Sequence, residues 1–95
     1  MIRVVAKSYP KKENIDDVIK VYKELVEATK QENGCIQYQL FQDESDPAIL
    51  TMIEAWDSKD SLDKHLQSEH FVRIIPLVGK LCSRDTEINL YHRLF

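Results

Sequence analysis

The sequence is poor in residues that interrupt or cross-link a chain: among 95 residues there are only two glycines, three prolines and two cysteines. Together with 43% hydrophobic and 31% charged residues, this scarcity is typical of a well-folded protein and not of a disordered one. Cys35 and Cys82 match neither a CxxC redox pair nor a zinc pattern, so we interpret both as free thiols. The length predicts one domain with a single core, residues 1–95.

The chain also lacks an excess of positive charge and a long apolar run. Its 13 basic and 16 acidic residues are interleaved and give a net charge of -3, which leaves no basic face to hold phosphates. No apolar run is long enough to cross a bilayer, and the start "MIRVVAKSYP" has no signal-peptide cleavage pattern. We therefore expect a cytoplasmic protein that binds neither nucleic acid nor membranes.

A strand and a long amphipathic helix are predicted at the start of the chain. The segment "IRVVAKSY" alternates β-branched and polar residues, which favours a strand. After Pro10, Asn14 is suited to cap a helix whose apolar residues recur at spacings of three and four from Ile15 to Thr29. The segment "QENG" ends this helix, and Gly34 suits a left-handed conformation.

Two further strands are predicted to form a hairpin. The segment "CIQYQLFQD" alternates apolar and polar residues, "ESDP" has the composition of a turn, and "AILTMIEAW" has strand propensity throughout. Side chains on a strand alternate between its two faces. Met52, Glu54 and Trp56 are therefore expected on one face of the sheet.

A second helix is predicted over "KDSLDKHLQS", capped by Ser58. Its inward residues are Leu62, His65 and Leu66. His65 and His70 are five residues apart and would point to different faces of one helix, so we predict no metal site.

The rest of the chain is predicted to hold a helix fragment and a last strand. The segment "HFVRIIPLVGKL" is expected to be partly helical and broken by Pro76 and Gly79, and "TEINLYHRLF" is expected to be the fourth strand.

The order β-α-β-β-α-β predicts an α+β, ferredoxin-like fold. In that fold two main helices cover one face of a four-stranded antiparallel sheet. Val5, Ile53 and Ala55 would make the other face apolar, and such a face in so small a chain favours burial against a second copy. We predict a homodimer joined through its sheet faces.

Two stretches resemble a known family. They are "NGCIQYQLFQD" and "EAWDSKDSLDKHLQSEHF", the second of which follows the pattern E-x-W-x-S-x-x-x-L-x-x-H-x-x-S-x-H-F. On these motifs the chain resembles the antibiotic biosynthesis monooxygenase (ABM) domain family of dimeric α/β-barrel proteins, and in particular its quinol-monooxygenase-like branch. The resemblance covers nearly the whole chain.

The resemblance implies oxidation of a quinol-like or phenolic aromatic by dioxygen with no cofactor, metal or flavin. The protein would hold the aromatic in an apolar cleft and help to remove a proton, a task that suits a histidine. His65 is the candidate base and Glu54 the candidate residue that orients it. The candidate substrate-binding residues are Trp56, Tyr38, Met52, Leu62, Phe71 and His70.

Each candidate also has a purely structural interpretation. His65 fits a hydrogen-bonded core histidine equally well, and Trp56 fits core packing better than a site role. Tyr38 fits a core position with its hydroxyl bonded to backbone, and His70 fits a helix cap or a contact at the dimer edge. Glu54 could instead form an ion pair with one of Arg3, Arg73 or Arg93.

The haem-degrading branch of the family fits the residues poorly. The positions where its members keep an Asn, a Trp and the iron-binding His are matched here by Ala6, His65 and Ile75. Without an axial ligand the cleft lacks the group that fixes haem iron.

Two other functions stay open beside oxygenation. One is isomerisation of a small molecule in the same cleft, and the other is a non-catalytic, dimeric ligand-binding or stress-response module. An open pocket beside His65 favours an enzyme, whereas a cleft filled by Trp56, Leu62 and Phe71 favours the module.

Overall fold

The computed structural model describes all 95 residues. It confirms the α+β, ferredoxin-like fold, with three helices and one short 3₁₀ turn, Lys12–Asn14. The elements are β1 (Ile2–Pro10), α1 (Ile15–Thr29), β2 (Cys35–Gln42), β3 (Leu50–Trp56), α2 (Lys59–Leu66), α3 (Glu69–Lys80) and β4 (Cys82–Tyr91).

The four strands form one antiparallel sheet in the order β2-β3-β1-β4. The predicted hairpin is present, and β3 pairs with β2 on one side and with β1 on the other. Glu54 lies opposite Val4 of β1 and Tyr38 of β2, which places these three side chains on one face near the middle of the sheet.

The core lies between this face of the sheet and the helices. The predicted apolar side of α1 is confirmed, since Val18, Tyr22 and Leu25 are buried at helical spacing. The Tyr22 hydroxyl is satisfied by the Ser8 hydroxyl at 2.5 Å. No helix combines the length and the apolar character needed to cross a membrane. The buried apolar cluster consists of Val4, Val18, Tyr22, Leu25, Tyr38, Leu50, Met52, Trp56, Leu62, Ile74 and Val78.

One of the two predicted helix caps is formed. The Ser58 hydroxyl accepts a hydrogen bond from the Ser61 backbone N–H at 3.2 Å, as expected for a capped α2. The predicted Asn14 cap is wrong, because the 3₁₀ turn before α1 holds Asn14 at φ −113°, ψ 7° instead of in extended backbone. Its side chain donates to Asp17 Oδ2 at 3.4 Å.

The prediction that Pro76 and Gly79 break the third helical segment is also wrong. Helix α3 continues through both residues. Pro76 cannot donate to the carbonyl of Val72, but Val72 is exposed, so water can hydrate that carbonyl. Ile74 and Val78 are completely buried on the other side, and their packing offsets the lost hydrogen bond.

The last strand lies earlier in the sequence than predicted. It runs from Cys82 to Tyr91, whereas the composition favoured residues 86–95. Strand β1 continues to Pro10, which pairs with Cys82 across a register shift. Because β1 is this long, the polar residues before Thr86 have a strand to pair with and belong to the sheet. Pairing overrides the low strand propensity of that segment.

The face of the sheet away from the helices has a small apolar centre. Val5 and Ile53 are half-buried, and Ala55 is buried in the single chain. Ala55 lies between Arg3 and Gln37 in the register, so longer side chains flank it on both sides.

Candidate active site

A break between two helices brings two histidines together. His65 lies near the end of α2 and His70 at the start of α3, and the chain turns at Gln67 and Ser68. Ser68 fixes this turn, because its hydroxyl donates to the His65 carbonyl at 2.7 Å and accepts from the Phe71 N–H at 3.3 Å. The expectation that the two imidazoles diverge on one helix is therefore wrong.

Glu32 joins the two imidazoles through one carboxylate oxygen. Its Oε2 lies 2.7 Å from His65 Nδ1 and 2.6 Å from His70 Nε2. Glu32 belongs to the turn between α1 and β2, a segment with no periodic pattern, and the sequence reasoning missed it. The only signal was its place in "QENG", directly ahead of the strand that carries Tyr38.

His65 is buried among aromatic rings. Its side chain is 1% exposed, and its ring centre lies 4.7 Å from that of Trp56, 4.9 Å from Phe71 and 5.2 Å from Tyr38. Burial lowers the pKa of His65, and the hydrogen bond to Glu32 opposes this shift in part. The imidazole is therefore mainly neutral at pH 7.

The two ring nitrogens of His65 have different environments. An ionised carboxylate can only accept a hydrogen bond, so the contact with Glu32 places the ring proton on Nδ1. Nε2 is then an unprotonated acceptor, and it is buried with no hydrogen-bond partner. This arrangement leaves a free basic lone pair on a ring whose other nitrogen is held in place.

Glu54 has a different partner from the one expected. Its Oε1 accepts a hydrogen bond from Trp56 Nε1 at 3.0 Å, two residues along the same strand, and it neither orients His65 nor forms an ion pair. Of the arginines offered as partners, Arg73 pairs with Glu24 and Glu69 instead. Burial raises the pKa of Glu54 to about 7, against the opposing effect of the indole hydrogen bond.

A cavity of about 620 Å³ opens beside these two titratable groups, between the sheet and helices α2 and α3. That volume suits a small aromatic molecule. Six predicted site residues line it: Tyr38, Met52, Glu54, Leu62, His65 and Phe71.

Two predicted substrate-binding residues lie outside the cavity lining. Trp56 is completely buried; it packs against the His65 ring and holds Glu54. The ring of His70, in contrast, is bonded to Glu32. Trp56 contacts His65 and Glu54 of the lining, whereas His70 is connected to the lining through Glu32, which also bonds to His65. Both are therefore supporting residues.

The cavity lining also includes cationic and partly exposed apolar side chains. Lys59 and Arg84 contribute the cationic groups, and the Arg84 guanidinium lies 3.7 Å from the centre of the Tyr9 ring. Ile88 and Leu90 of β4 also line the cavity and are about half exposed. The lining is thus mainly apolar, with a few charged side chains.

Comparison with known proteins agrees with the fold and the motifs. The sequence model of the family described as antibiotic biosynthesis monooxygenase matches residues 1–77. The crystal structure of a conserved protein from Methanosarcina mazei Go1 has a TM-score of 0.96 and 43% identity to this chain, and the match covers 98% of this chain and 92% of that one.

 A crystal structure described as an antibiotic biosynthesis monooxygenase has a TM-score of 0.95 and 39% identity, with 99% of both chains covered.

One relative is longer than this chain. An uncharacterized protein of Synechocystis is 26% identical over 76 residues, which are 80% of this chain, and the chain spans about half (52%) of that protein's length. The family model, in contrast, covers most of the present sequence and includes every candidate site residue. The chain therefore belongs to the antibiotic biosynthesis monooxygenase family.

Proposed function

We propose that this protein is a cofactor-independent monooxygenase that oxidises a quinol-like or phenolic aromatic with dioxygen, with His65 as the base. One observation carries the proposal: the buried Nε2 of His65 has no partner, while Nδ1 is held by Glu32 and the residue lines an open cavity. A base that is oriented through its second nitrogen is the arrangement that proton abstraction requires.

The reaction begins with transfer of a phenolic proton from the substrate to His65 Nε2. The resulting anion is electron-rich and reduces dioxygen, so that one oxygen atom enters the substrate and the other leaves as water. All the electrons come from the substrate, which is why the reaction needs no separate reductant. Glu32 stabilises the imidazolium that forms, because its carboxylate lies 2.7 Å from Nδ1.

Glu54 is proposed as a hydrogen-bond donor to the substrate in the cavity. With a pKa of about 7, it is protonated in a substantial share of molecules at neutral pH. The protonated carboxyl can donate a hydrogen bond to the substrate oxyanion, whereas the ionised form would repel that anion. Trp56 holds the carboxyl through its indole N–H and leaves the other oxygen free for this contact.

Four side chains are proposed to bind the aromatic ring itself. Three of them, Met52, Leu62 and Phe71, give the cavity apolar and aromatic surface. Tyr38 adds a hydroxyl that stays protonated, because burial raises its pKa. A flat, mostly apolar substrate with one or two hydroxyl groups fits this lining better than a highly charged one.

Oxygen uptake with a panel of quinols and anthrone-like phenols tests the function. The wild type and the variants His65→Ala and His92→Ala would be assayed free of added metal, with autoxidation subtracted and the product identified. His92 is exposed and outside the cavity, so it is a matched control. Uptake by the wild type and His92→Ala that falls with His65→Ala supports the proposal. Uptake at the autoxidation rate in all three would contradict it and favour a binding module or an isomerase.

We also propose that two copies pair through the uncovered sheet face. The apolar centre at Val5 and Ile53 supports this arrangement, since polar strand residues surround it as a rim does in an interface. Sedimentation equilibrium should give twice the chain mass of 11.1 kDa. Val5→Glu should then yield monomers, whereas Val72→Glu, at an exposed helical position, should stay dimeric. A monomeric wild type would contradict the proposal.

A further inference from the structure

We propose that Glu32, His65 and His70 form a binding site for one divalent transition-metal ion such as Zn²⁺. The three donor atoms all lie within 4.8 Å of one another. They come from three separate parts of the chain, namely the turn after α1, the end of α2 and the start of α3. The fold itself therefore assembles the cluster.

The donor types favour a first-row transition ion over calcium or magnesium. Two imidazole nitrogens and one carboxylate oxygen are the ligands that Zn²⁺, Co²⁺ and Ni²⁺ accept readily, whereas Ca²⁺ and Mg²⁺ prefer oxygen donors alone. Three protein ligands also leave a coordination position that water can fill.

The present contacts of Glu32 are those of hydrogen bonds, so metal binding requires them to lengthen and the widest donor separation, within 4.8 Å, to shorten. Glu32 Oε2 lies 2.7 Å from His65 Nδ1 and 2.6 Å from His70 Nε2. Ligand atoms bound to one zinc ion at about 2 Å are separated by roughly 3.3 Å in a tetrahedral site, so these contacts must open by about 0.6 Å. Partial exposure of the Glu32 and His70 side chains, 16% and 19%, gives an ion and its water access from one side.

Metal binding would change the chemistry of His65, a consequence that rests on the proposed function. The ion takes the lone pair of Nδ1, so the single proton of the neutral ring must be on Nε2. Nε2 can then donate a hydrogen bond but cannot accept the substrate proton. The ion is thus an inhibitor of the proposed oxygenation and has no part in the reaction.

Calorimetric titration of the metal-free chain with Zn²⁺ tests the site without any assay of activity. The wild type and His92→Ala should each bind one Zn²⁺ per chain, and His70→Ala should bind it at least about tenfold more weakly. His92→Ala controls for the loss of an exposed imidazole. No saturable binding to the wild type, or equal affinity in His70→Ala, would overturn the proposal.

Titration with Co²⁺ tests the donor set. Nitrogen and oxygen ligands should give visible d–d bands without a thiolate charge-transfer band, and His70→Ala should lose these bands. A thiolate band would assign the ion to a cysteine such as Cys35 and would overturn the proposed site.

The two proposals can fail separately. Zinc binding that depends on His70, in a chain that oxidises no quinol, would support the metal site and refute the monooxygenase. Oxygenation by a chain that binds no zinc would support the monooxygenase and refute the metal site. If both hold, Zn²⁺ should inhibit the wild type strongly, and His70→Ala should resist inhibition when each protein is compared with its own metal-free rate.

Discussion

Glu32 and Glu54 show how the same side chain acquires different chemistry from its surroundings. Glu32 lies in a turn, is partly exposed and accepts from two imidazole nitrogens. Glu54 lies on a central strand, is 6% exposed and has one neutral donor, the Trp56 indole. Burial raises the pKa of Glu54 to about 7, because the single hydrogen bond from Trp56 opposes this shift only in part. Glu32 is therefore suited to hold a base, and Glu54 to donate a hydrogen bond from its protonated carboxyl.

The largest expected effect is on turnover in Glu32→Gln. The amide keeps the size of the side chain but loses the negative charge that stabilises the His65 imidazolium, so we expect kcat to fall roughly a hundredfold. Glu54→Gln should cost less, about tenfold, because the amide can still donate a hydrogen bond to the oxyanion. Steady-state oxygen uptake at pH 7 measures both. A larger loss in Glu54→Gln than in Glu32→Gln would reverse the assigned roles.

Gly34→Ala should destabilise the fold at the turn that carries Glu32, where the chain approaches the start of α2. Gly34 has φ +85°, and an added Cβ would lie 2.2 Å from Ser61 Oγ and 2.5 Å from Asp57 Oδ1. We expect a loss of about 2–4 kcal/mol in the free energy of unfolding, from backbone strain and this clash together. Urea denaturation measures it. Gly79→Ala is the matched control, since its Cβ would meet no atom within 4 Å. Equal stability of the two variants would contradict the expectation.

Glu54 should make the fold less stable as the pH rises. Its pKa is higher in the folded state, about 7, than the ordinary value of 4.5, so the folded state binds more protons between these values. The contribution of Glu54 to stability is then greatest below pH 4.5 and declines up to about pH 7. Glu54→Gln should leave stability near pH 4 unchanged and raise it at pH 8 by on the order of 2 kcal/mol. Urea denaturation of both proteins at the two pH values tests this, and parallel pH profiles would contradict it.

Trp56→Phe should give the smallest change in the chemistry of the site. The indole hydrogen bond lowers the pKa of Glu54, so its removal should raise that pKa further, by about one unit or less. Infrared titration of the carboxyl band, with Glu54→Gln to assign it, measures the shift. The smaller ring also costs packing, so the fold would be checked by circular dichroism. A pKa that falls in Trp56→Phe would contradict this account.

Much of the fold could be predicted because the local hydrophobic patterns indicated the same buried faces that the strand pairing and helix packing produce. The alternation of Met52, Glu54 and Trp56 placed all three on the face that carries the cavity, and the periodicity of α1 identified its buried side. The third helix was harder, because Pro76 is a strong breaking signal and only the burial of Ile74 and Val78 shows why the helix continues.

The site was predicted less completely, for a physical reason. His65 stood on a periodic inward stripe, and the structure places it at the cavity as expected, although its catalytic role stays a prediction. Glu32 stands in an aperiodic turn, and its contact with His65 spans 33 positions in the sequence. The turn at Ser68 reorients His70, and no helical periodicity extends across a helix break.

The tautomer of His65 decides whether this residue can act as the base. Nitrogen-15 NMR of the imidazole side chains at pH 7, with His65→Ala to assign the signals, distinguishes a protonated nitrogen from one with a free lone pair. We expect a neutral His65 with its proton on Nδ1, facing Glu32, and a free lone pair on Nε2. A proton on Nε2, or an imidazolium at pH 7, would mean that His65 cannot act as the proposed base.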